Sequence, residues 1–314
     1  MRLVTLEGAL GQRPGVVIGD EILDIHACAA TLPAARLAPP DVIGVLQAGE
    51  AGLNLLRRIV DQSAQAAERL RAIGALTPRR AVKLAAPLPN PGMVLSIGAN
   101  YHDHLKEMNA PAPATPMAFY KSVASIIGPD DRIILPSGHP DMVDWECEFS
   151  VVIGKPCHRV SARDALNYVA GYTVVNDVSA RDWVVEAFAA TGMIGTIVGW
   201  EHNILGKLFP TFCPMGPELV TADEIRDPHN LHLETRLNGK VMQSANTSDL
   251  VFNVVQIIEY YSQFLQFRPG DVITTGSPSG VGYGRTPKLF MKPGDVIEVE
   301  VEGVGVLRNE IAAA

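Results

Sequence analysis

Apolar and polar positions alternate along the first residues of the chain, as they do on a half-buried β-strand. The pair Gly19-Asp20 then separates two short apolar runs, which predicts a tight hairpin. Apolar residues recur every three or four positions from residue 53 to residue 70, and this pattern fails at Gly74. Such spacing is typical of an amphipathic helix, so the chain is predicted to open with a small β unit followed by a helix.

Prolines change the pattern between residues 77 and 92. Four of them, Pro78, Pro87, Pro89 and Pro91, fall in this stretch, a composition that favours neither a helix nor the interior of a sheet. We expect a domain boundary here. The predicted organisation is a small N-terminal domain at 1–76, a proline-rich linker at 77–92 and a larger domain at 93–314.

From residue 93 onward, short runs of Val, Ile, Leu and Thr lie between Pro and Gly turns, which predicts strands. The predicted strands are 94–97, 133–135, 149–153, 172–175, 231–237, 272–275 and 296–301. A predicted helix at 251–265 interrupts them. Strands without regularly alternating helices indicate a mostly β, α+β fold and argue against a doubly wound parallel sheet.

Charge excludes one class of partner. The chain of 314 residues has 26 Lys and Arg against 34 Asp and Glu, a net charge of −8, and no basic run. A protein that binds nucleic acid needs clustered positive charge along the phosphate backbone. We therefore expect no nucleic-acid partner.

Cysteines and apolar tracts indicate the cellular setting. Cys28, Cys147, Cys157 and Cys213 form no C-x-x-C pair and are predicted to be reduced thiols. The start of the chain has no apolar core of a signal peptide. The longest apolar tract, 188–200, is shorter than the ~20 residues of a membrane span. The sequence predicts a soluble, cytoplasmic protein without a membrane partner.

Acidic residues alternate with apolar ones between residues 143 and 151. On a strand, Asp144, Glu146 and Glu148 would share one face. Such a face is what a half-exposed strand presents to solvent. Alternatively, Glu146 and Glu148, roughly 6.5 to 7 Å apart along the strand, bind one hard divalent cation.

A second polar cluster follows the apolar run 172–175. Asp177 lies at its end and is a candidate third carboxylate, although Asn176 and Asp177 could equally cap a turn. Arg181 and Asp182 follow closely. Arg181 could pair with Asp182 at the surface, or it could bind an acidic substrate through both guanidinium nitrogens.

A third cluster contains His102, His104 and Glu107. On a helix, His104 and Glu107 are i,i+3 neighbours, so Glu107 could hold the imidazole in one tautomer and let it act as a base. A solvated helix start and a zinc site at His102 and His104 are the alternatives. Zinc is disfavoured because the sequence has no third His or Cys at a spacing that would complete the site.

Glycines recur near the end of the chain, at 276, 280 and 282. The segment lacks the spacing and the Gly-Lys-Ser/Thr ending of a phosphate-binding loop. A turn that lines a cleft with hydroxyl groups and backbone N–H groups is the better interpretation, and plain turn chemistry is the alternative.

In combination, these segments resemble the fumarylacetoacetate hydrolase family over most of residues 93–311. The motifs that carry the resemblance are Asn100-Tyr101-x-x-His104-x-x-Glu107, Phe119-Tyr120-Lys121, Asp144-Trp145-Glu146-x-Glu148, Asn176-Asp177-x-Ser179-Ala180-Arg181-Asp182, Asn238-Gly239 with Gln243 and Thr247, and Thr275-Gly276-Ser277-Pro278-x-Gly280-Val281-Gly282. The resemblance implies a mixed β-sandwich roll, a smaller N-terminal α/β domain and a homodimer.

The same resemblance implies roles for particular residues. Glu146, Glu148 and Asp177 would hold Mg²⁺ or Mn²⁺. His104 and Glu107 match the dyad that activates water, and Lys207 matches the lysine that stabilises an oxyanion. The candidate substrate contacts are Tyr101, Lys121, Arg181 and Ser277.

The expected function is divalent-metal-dependent hydrolysis of a C–C bond in a 1,3-diketo acid of the acylpyruvate or fumarylpyruvate type. Water activated by the His-Glu dyad would attack, and the leaving group would be a metal-held enolate. A 2-oxo acid decarboxylase or an isomerase on the same scaffold is the alternative. A metal-stabilised binding module without catalysis is a third.

Two features depart from the family pattern. The glutamine that usually follows the Arg-Asp pair is absent, because the chain continues Trp183-Val184-Val185. An apolar insert at 187–200 lies between Asp177 and Lys207. This insert is either a buried structural helix or dimer contact, or a mobile lid that would favour an uncharged or aromatic acyl group.

Overall fold

The fold is known from a computed structural model that describes residues 1–8 and 11–314. The α-helices are α1 (Val42–Gln47), α2 (Gly49–Gln65), α3 (Ala67–Ala72), α4 (His102–Glu107), α5 (Val184–Ala189), α6 (Gly192–Leu205) and α7 (Val254–Ser262). Short 3₁₀ helices occupy Ala27–Ala30, Pro33–Leu37, Arg79–Ala81, Val123–Ser125, Ala165–Tyr168, Ala222–Glu224 and Thr247–Asp249.

Strands outnumber helices among the described residues. They are β1 (Arg2–Gly8), β2 (Gly11–Ile18), β3 (Glu21–Asp24), β4 (Leu76–Pro78), β5 (Lys83–Ala85), β6 (Val94–Gly98), β7 (Met117–Lys121), β8 (Ile126–Ile127), β9 (Arg132–Leu135), β10 (Val143–Asp144), β11 (Cys147–Ile153), β12 (Val169–Asn176), β13 (Ser179–Ala180), β14 (Cys213–Thr221), β15 (His232–Leu237), β16 (Lys240–Asn246), β17 (Val272–Thr274), β18 (Val296–Val301) and β19 (Gly305–Ala313).

Two large sheets organise these strands. Ten strands of the first run in the order β4-β3-β2-β1-β14-β12-β11-β17-β6-β7, with β5 and β8 paired at its side. The second has the order β16-β15-β18-β19-β9, and β10 pairs with β13 alone. Antiparallel neighbours predominate, and β17–β6 and β19–β9 are parallel. The predicted α+β fold with a predominance of strands is confirmed.

The main hydrophobic core lies where the first sheet meets the second sheet and α7. Phe149 and Tyr172 stack there with ring centroids 5.0 Å apart. A capping box starts α7, because Asn253 and Gln256 each accept a hydrogen bond from the other's backbone N–H. The predicted helix at 251–265 is therefore shorter at both ends than expected.

The N-terminal segment belongs to the same sheet as the rest of the chain. Strand β1 pairs antiparallel with β14, and one core cluster contains Leu3, Val94, Val175 and Leu219. The predicted linker contains strand β5 and overlaps β4, so it is not free of sheet structure. The division at 76 and 93 stays a prediction.

Two predicted elements are interrupted. The amphipathic helix at 53–70 is α2 and α3, which meet at Ala66. The strand expected from 143 to 151 breaks at Trp145 and Glu146, because side chains replace the ladder there: Trp145 N–H donates to Asp144 and Glu146 N–H donates to Asn176. Among the described residues, no helix is long and apolar enough to cross a membrane.

Candidate metal centre and active site

Three buried carboxylates lie close together where the start of β11 adjoins the end of β12. Cys147 of β11 pairs with Asn176 of β12, so their neighbours Glu146 and Asp177 leave the sheet together. Asp177 N–H donates to the Glu146 carbonyl oxygen over 2.9 Å. One carboxylate oxygen each from Glu146, Glu148 and Asp177 lies within 4.8 Å of the others. The exposed fraction is 8% for Glu146 and 1% for Glu148 and Asp177, so the interpretation as a solvated strand face is wrong.

The charges in this cluster are unevenly compensated. Burial and then the neighbouring charges of Asp177 and Glu146 raise the pKa of Glu148 well above its ordinary value. Burial acts in the same direction on Glu146, but Lys207 and Arg181 more than offset it and lower the pKa of that carboxyl. Oε2 of Glu148 is buried without a hydrogen-bond partner. A cation held by the three carboxylates would give this oxygen a partner.

The donor set fits a hard divalent ion. All three side chains offer carboxylate oxygen, the ligand type that Mg²⁺ and Mn²⁺ prefer. Among the described residues, this is the group of three or more His, Cys, Asp or Glu side chains whose ligand atoms come this close. His102 is exposed and lies outside that group, which disfavours the zinc alternative.

The Lys207 ammonium group bridges two of the carboxylates. Its Nζ donates to Glu146 Oε2 over 2.7 Å, to Asp177 Oδ2 over 2.6 Å and to Ser179 Oγ over 2.8 Å. The three N–H bonds of an ammonium group are thus all engaged. Ser179 belongs to a motif of the sequence, but nothing in its local pattern indicated this contact.

Lys121 lies beneath the same cluster. Its Nζ donates to Asp177 Oδ1 over 2.6 Å and to the carbonyl oxygens of Lys207 and Phe212 over 2.6 and 2.7 Å. Its side chain has no exposed surface. The residue expected to contact substrate therefore supports Asp177 and the chain around Lys207.

Arg181 joins the carboxylates to the glycine-rich turn. Its Nε donates to Asp144 Oδ2 over 3.0 Å, and its Nη2 donates to Glu146 Oε1 over 2.6 Å. Asp144 also accepts hydrogen bonds from the backbone N–H groups of Gly282 and Tyr283. Arg181 is thus not paired with Asp182, and Asp144 is a site residue for which sequence reasoning offered only the alternation of acids.

The predicted pair of His104 and Glu107 is present on α4. His104 Nδ1 lies 2.8 Å from Glu107 Oε2, and Glu107 Oε1 accepts the Gly280 N–H over 3.0 Å. Burial alone would raise the pKa of Glu107, but the hydrogen bonds from His104 and Gly280 lower it. Because an ionised carboxylate only accepts, His104 carries its hydrogen on Nδ1 and leaves Nε2 as the basic nitrogen.

The turn at residues 280–284 links this dyad to the carboxylates. Gly280 contacts Glu107, and Gly282 contacts Asp144, which binds Arg181. A Cβ on Gly284 would come within 2.6 Å of Glu107 Cδ. The glycines therefore let the backbone pack closely against acidic side chains.

Two other candidate substrate contacts, Ser277 and Tyr101, are buried. Ser277, 6% exposed, accepts a hydrogen bond from Gln243 Nε2 over 2.9 Å. Tyr101 is fully buried in the main core, its hydroxyl has no hydrogen-bond partner, and burial raises its pKa well above the ordinary value. A substrate role for either residue stays a prediction. Gln243 was not assigned a role from the sequence.

The apolar insert forms a helical hairpin, α5 and α6. Phe188 is 78% exposed and Met193 is 76% exposed, so the expectation of a buried structural helix is wrong. Trp200 lines a surface groove of about 460 Å³ with Tyr120 and Phe264. A contact between molecules and a lid are the interpretations that stay open.

Comparison with known proteins agrees with this geometry. Residues 93–312 match the family described as fumarylacetoacetate (FAA) hydrolase C-terminal. Over 293 residues, the chain is 43% identical to the oxaloacetate tautomerase FAHD2A, mitochondrial, of Bos taurus, and the match covers 93% of this chain and 84% of that protein.

Two further relatives carry hydrolase names. Over 231 residues, the chain is 42% identical to the 2,4-didehydro-3-deoxy-L-rhamnonate hydrolase of Sphingomonas sp. (strain SKA58), a match that covers 73% of this chain and 76% of that protein. Maleylpyruvate hydrolase from Sphingobium sp. SYK-6, solved in complex with manganese(II) ion and pyruvate, is similar with a TM-score of 0.76 and 28% identity over 100% of both chains.

Proposed function

The chain belongs to the fumarylacetoacetate hydrolase family of metal-dependent enzymes, and we propose that it catalyses keto–enol tautomerisation of a 2-oxo acid. The substrate class is one whose C3 hydrogens are acidified by a carbonyl or carboxyl group at C4, such as oxaloacetate. The relative named oxaloacetate tautomerase supports this choice.

One observation carries the proposal: the site has an oriented base, and its lysine has no free N–H. Glu107 holds His104 with Nε2 as its basic nitrogen. All three N–H groups of the Lys207 ammonium group are directed to Glu146, Asp177 and Ser179. Hydrolysis requires an activated water and a donor for a new oxyanion, whereas tautomerisation requires one group that moves one proton.

His104 performs that proton transfer. Its Nε2 accepts a proton from C3 of the substrate, the C3–H electron pair forms the C2=C3 double bond, and the C2=O π pair moves to the oxygen. Nε2 then returns the proton to that oxygen. Glu107 keeps Nε2 directed away from its own carboxylate, because that carboxylate faces Nδ1–H. A group of this kind contributes ~10²–10⁴-fold to rate.

Glu146, Glu148 and Asp177 would hold Mg²⁺ or Mn²⁺, which when bound supplies a Lewis acid that polarises the 2-oxo group. Lys121 and Arg181 keep Asp177 and Glu146 in place through their ion pairs. We assign them a positioning role in preference to the substrate contact expected from the sequence, because their nitrogens already face protein acceptors. Ser277 stays a candidate substrate contact.

Hydrolysis of a 1,3-diketo acid is the second candidate. The two relatives with hydrolase names favour it, and the same dyad could deprotonate water. In that reaction Lys207 would have to turn from its carboxylate partners towards the new oxyanion. Decarboxylation of a 2-oxo acid needs no activated water and is a further outcome that products would reveal.

Exchange of C3 hydrogen for deuterium separates these reactions. We expect the Mg²⁺-loaded protein in D₂O to accelerate loss of the C3 proton signal of oxaloacetate, measured by NMR, beyond the rate with Mg²⁺ alone and without release of CO₂. His104→Ala, with equal metal content, is the matched control and should abolish the acceleration.

The products decide between the candidates. Cleavage of an acylpyruvate into pyruvate and a carboxylic acid, without C3 exchange in oxaloacetate, would replace the proposal with the hydrolase. Release of CO₂ at the rate of C3 exchange would replace it with a decarboxylase.

A further inference from the structure

The geometry points to Gln243 as a positioning residue that holds the metal-binding strand and the turn of the dyad in one arrangement. Gln243 lies on β16 of the second sheet and is 1% exposed. Its side-chain hydrogen bonds go to Cys147, Thr235, Ser277 and Pro278, none of which is a proposed metal ligand or a member of the dyad. The inference deepens the proposed function and rests on it for the kinetic readout alone.

The amide oxygen of Gln243 faces the metal-binding strand. Oε1 accepts the backbone N–H of Cys147 over 3.1 Å and the hydroxyl of Thr235 over 2.7 Å. Cys147 is the residue between Glu146 and Glu148. This hydrogen bond therefore fixes the backbone from which both carboxylates extend.

The amide nitrogen of Gln243 faces the glycine-rich turn. Nε2 donates to Ser277 Oγ over 2.9 Å and to the Pro278 carbonyl oxygen over 2.8 Å. Two residues later, Gly280 N–H donates to Glu107. The same side chain thus fixes the segment that leads into the turn at 280–284, whose first residue contacts Glu107.

The partners also determine the orientation of the amide. The Cys147 N–H can only donate, and the Pro278 carbonyl oxygen can only accept. An exchange of oxygen and nitrogen would place the amide NH₂ group against the Cys147 N–H and the amide oxygen against the Pro278 carbonyl oxygen. The hydrogen-bonding groups of Gln243 are thereby all used, half on the strand and half on the turn.

Further contacts pack the glycine-rich turn closely against β16. Arg285 Nη2 donates to the Met242 carbonyl oxygen, and a Cβ on Gly280 would come within 2.4 Å of that oxygen. Trp145 Nε1 donates to the Gly280 carbonyl oxygen over 3.3 Å. The turn is in close contact with β16. The Gln243 side chain hydrogen-bonds both to Cys147 of β11 and to Ser277 and Pro278, just before the turn.

Two replacements of similar length distinguish the contacts of the Gln243 amide oxygen from those of its amide nitrogen. Gln243→Met removes every hydrogen bond. Gln243→Glu keeps an acceptor for Cys147 and Thr235, but a carboxyl group has at most one proton and cannot donate to both Ser277 and Pro278. Gln243→Met thus perturbs both the strand and the turn, whereas Gln243→Glu perturbs mainly the turn.

Two measurements need no substrate. We expect Gln243→Met to weaken Mn²⁺ binding, measured by titration calorimetry, by about tenfold, as loss of an outer partner of a metal site does. Amide hydrogen exchange over residues 279–285 should accelerate by about tenfold as well. Gln243→Glu should accelerate that exchange while it keeps the Mn²⁺ dissociation constant within about threefold, and kcat for C3 exchange should fall in both variants.

Asn309→Leu is the matched control. Asn309 is a fully buried amide whose Nδ2 donates to the carbonyl oxygens of Gly128 and Asp131, away from the site. Its replacement should lower Tm without a change in Mn²⁺ binding or in exchange at 279–285. If Gln243→Met behaves in the same way, Gln243 is structural and the inference is overturned.

A milder variant keeps the inference testable if Gln243→Met does not fold. Thr235→Val removes the hydroxyl group that donates to Gln243 Oε1 and should weaken Mn²⁺ binding by a few-fold. Unchanged Mn²⁺ binding in Thr235→Val together with unchanged exchange in Gln243→Glu would also overturn the inference. Absence of C3 exchange in the unmodified protein would refute the proposed reaction, while the metal and exchange measurements would still decide the role of Gln243.

Discussion

At residue scale, an unpartnered buried oxygen of Glu148 indicates the metal site. Its Oε2 is buried without a donor, while two further carboxylates lie within 4.8 Å. A buried charge without a partner destabilises a folded protein unless a ligand neutralises it. Lys207 and Arg181 neutralise Glu146. A bound cation would therefore stabilise the Glu148 carboxylate more than the Glu146 carboxylate.

Glu148→Gln should therefore separate stability from metal binding. In chelator-treated protein we expect Tm to rise by several degrees, because loss of a buried charge relieves on the order of 1–3 kcal/mol. Added Mn²⁺ should stabilise the unmodified protein and leave the variant unchanged. Glu50→Gln, at a side chain that is 71% exposed, is the control. A normal Mn²⁺ response in Glu148→Gln would contradict the assignment.

The dyad predicts a graded loss of activity. His104→Ala should lower kcat by ~10²–10⁴ because it removes the base, with metal content unchanged. Glu107→Gln should do less, since it alters the orientation of the imidazole and not its presence. Activity assays paired with metal analysis test this. If His104→Ala also removes the metal, His102 and His104 must be reconsidered as ligands.

Glu107 also predicts a pH dependence of stability. Hydrogen bonds from His104 and Gly280 overcome the effect of burial and lower its pKa in the folded protein. A carboxyl with a depressed pKa stabilises the fold above its unfolded pKa of 4.5 and loses this effect as the pH falls through the folded value. The Tm difference between the unmodified protein and Glu107→Gln should thus shrink as the pH falls below about 5. A difference that grows on acidification would show that another group is responsible.

At the scale of elements, the α5–α6 hairpin is attached to the site at both ends. Arg181 precedes it and binds Glu146, and Lys207 follows it and binds Glu146 and Asp177. Between these anchors, apolar side chains such as Phe188 and Met193 face solvent. An exposed apolar element with anchored ends is suited to cover a bound substrate or to contact another molecule.

The lid interpretation predicts a selectivity that depends on the hairpin. We expect kcat/KM for C3 hydrogen exchange to be higher with an aromatic acylpyruvate than with fumarylpyruvate, and Met193→Ala and Trp200→Ala to reduce that preference. Leu37→Ala, at a residue 74% exposed in the N-terminal segment, should leave it unchanged. Preference for the dicarboxylate, unaltered in both hairpin variants, would rule the lid out and leave the intermolecular contact.

At the scale of the whole molecule, the first sheet is continuous from the N-terminal segment to the site. Strand β1 pairs with β14, which pairs with β12, the strand that leads to Asp177. Leu3 shares a core with Val94 and Val175. The predicted domain boundary thus falls within a shared sheet and core. The homodimer and the cytoplasmic location stay predictions.

This continuity predicts that the two segments unfold together. Leu3→Ala should destabilise the protein by about 2–5 kcal/mol, as loss of a buried leucine does. The tryptophans, 145, 183 and 200, all lie beyond residue 93, so Trp fluorescence reports on the larger segment. We expect its thermal transition to shift to lower temperature in Leu3→Ala and to coincide with that from far-UV circular dichroism, while Leu37→Ala should leave both in place. An unshifted fluorescence transition would instead support two independent domains.

Local periodicity and local chemistry were accessible from the sequence. The strand at 296–301 has the predicted bounds, and the hairpin at Gly19-Asp20 is present, because alternation and turn residues act over a few positions. The His104–Glu107 hydrogen bond could be predicted for the same reason: helical neighbours at i,i+3 meet whatever the rest of the chain does. The carboxylate trio needed the order of several motifs together.

Tertiary structure decided what those groups contact. Arg181 binds Asp144 and Glu146, and Lys121 reaches Asp177 across 56 positions of sequence. Gln243 joins Cys147 to Pro278 across two sheets. Each of these contacts depends on how distant strands pair and pack, and no local pattern encodes that distance or direction. The sequence therefore determined which chemical groups the protein carries, and the packing of its sheets determined which of them meet.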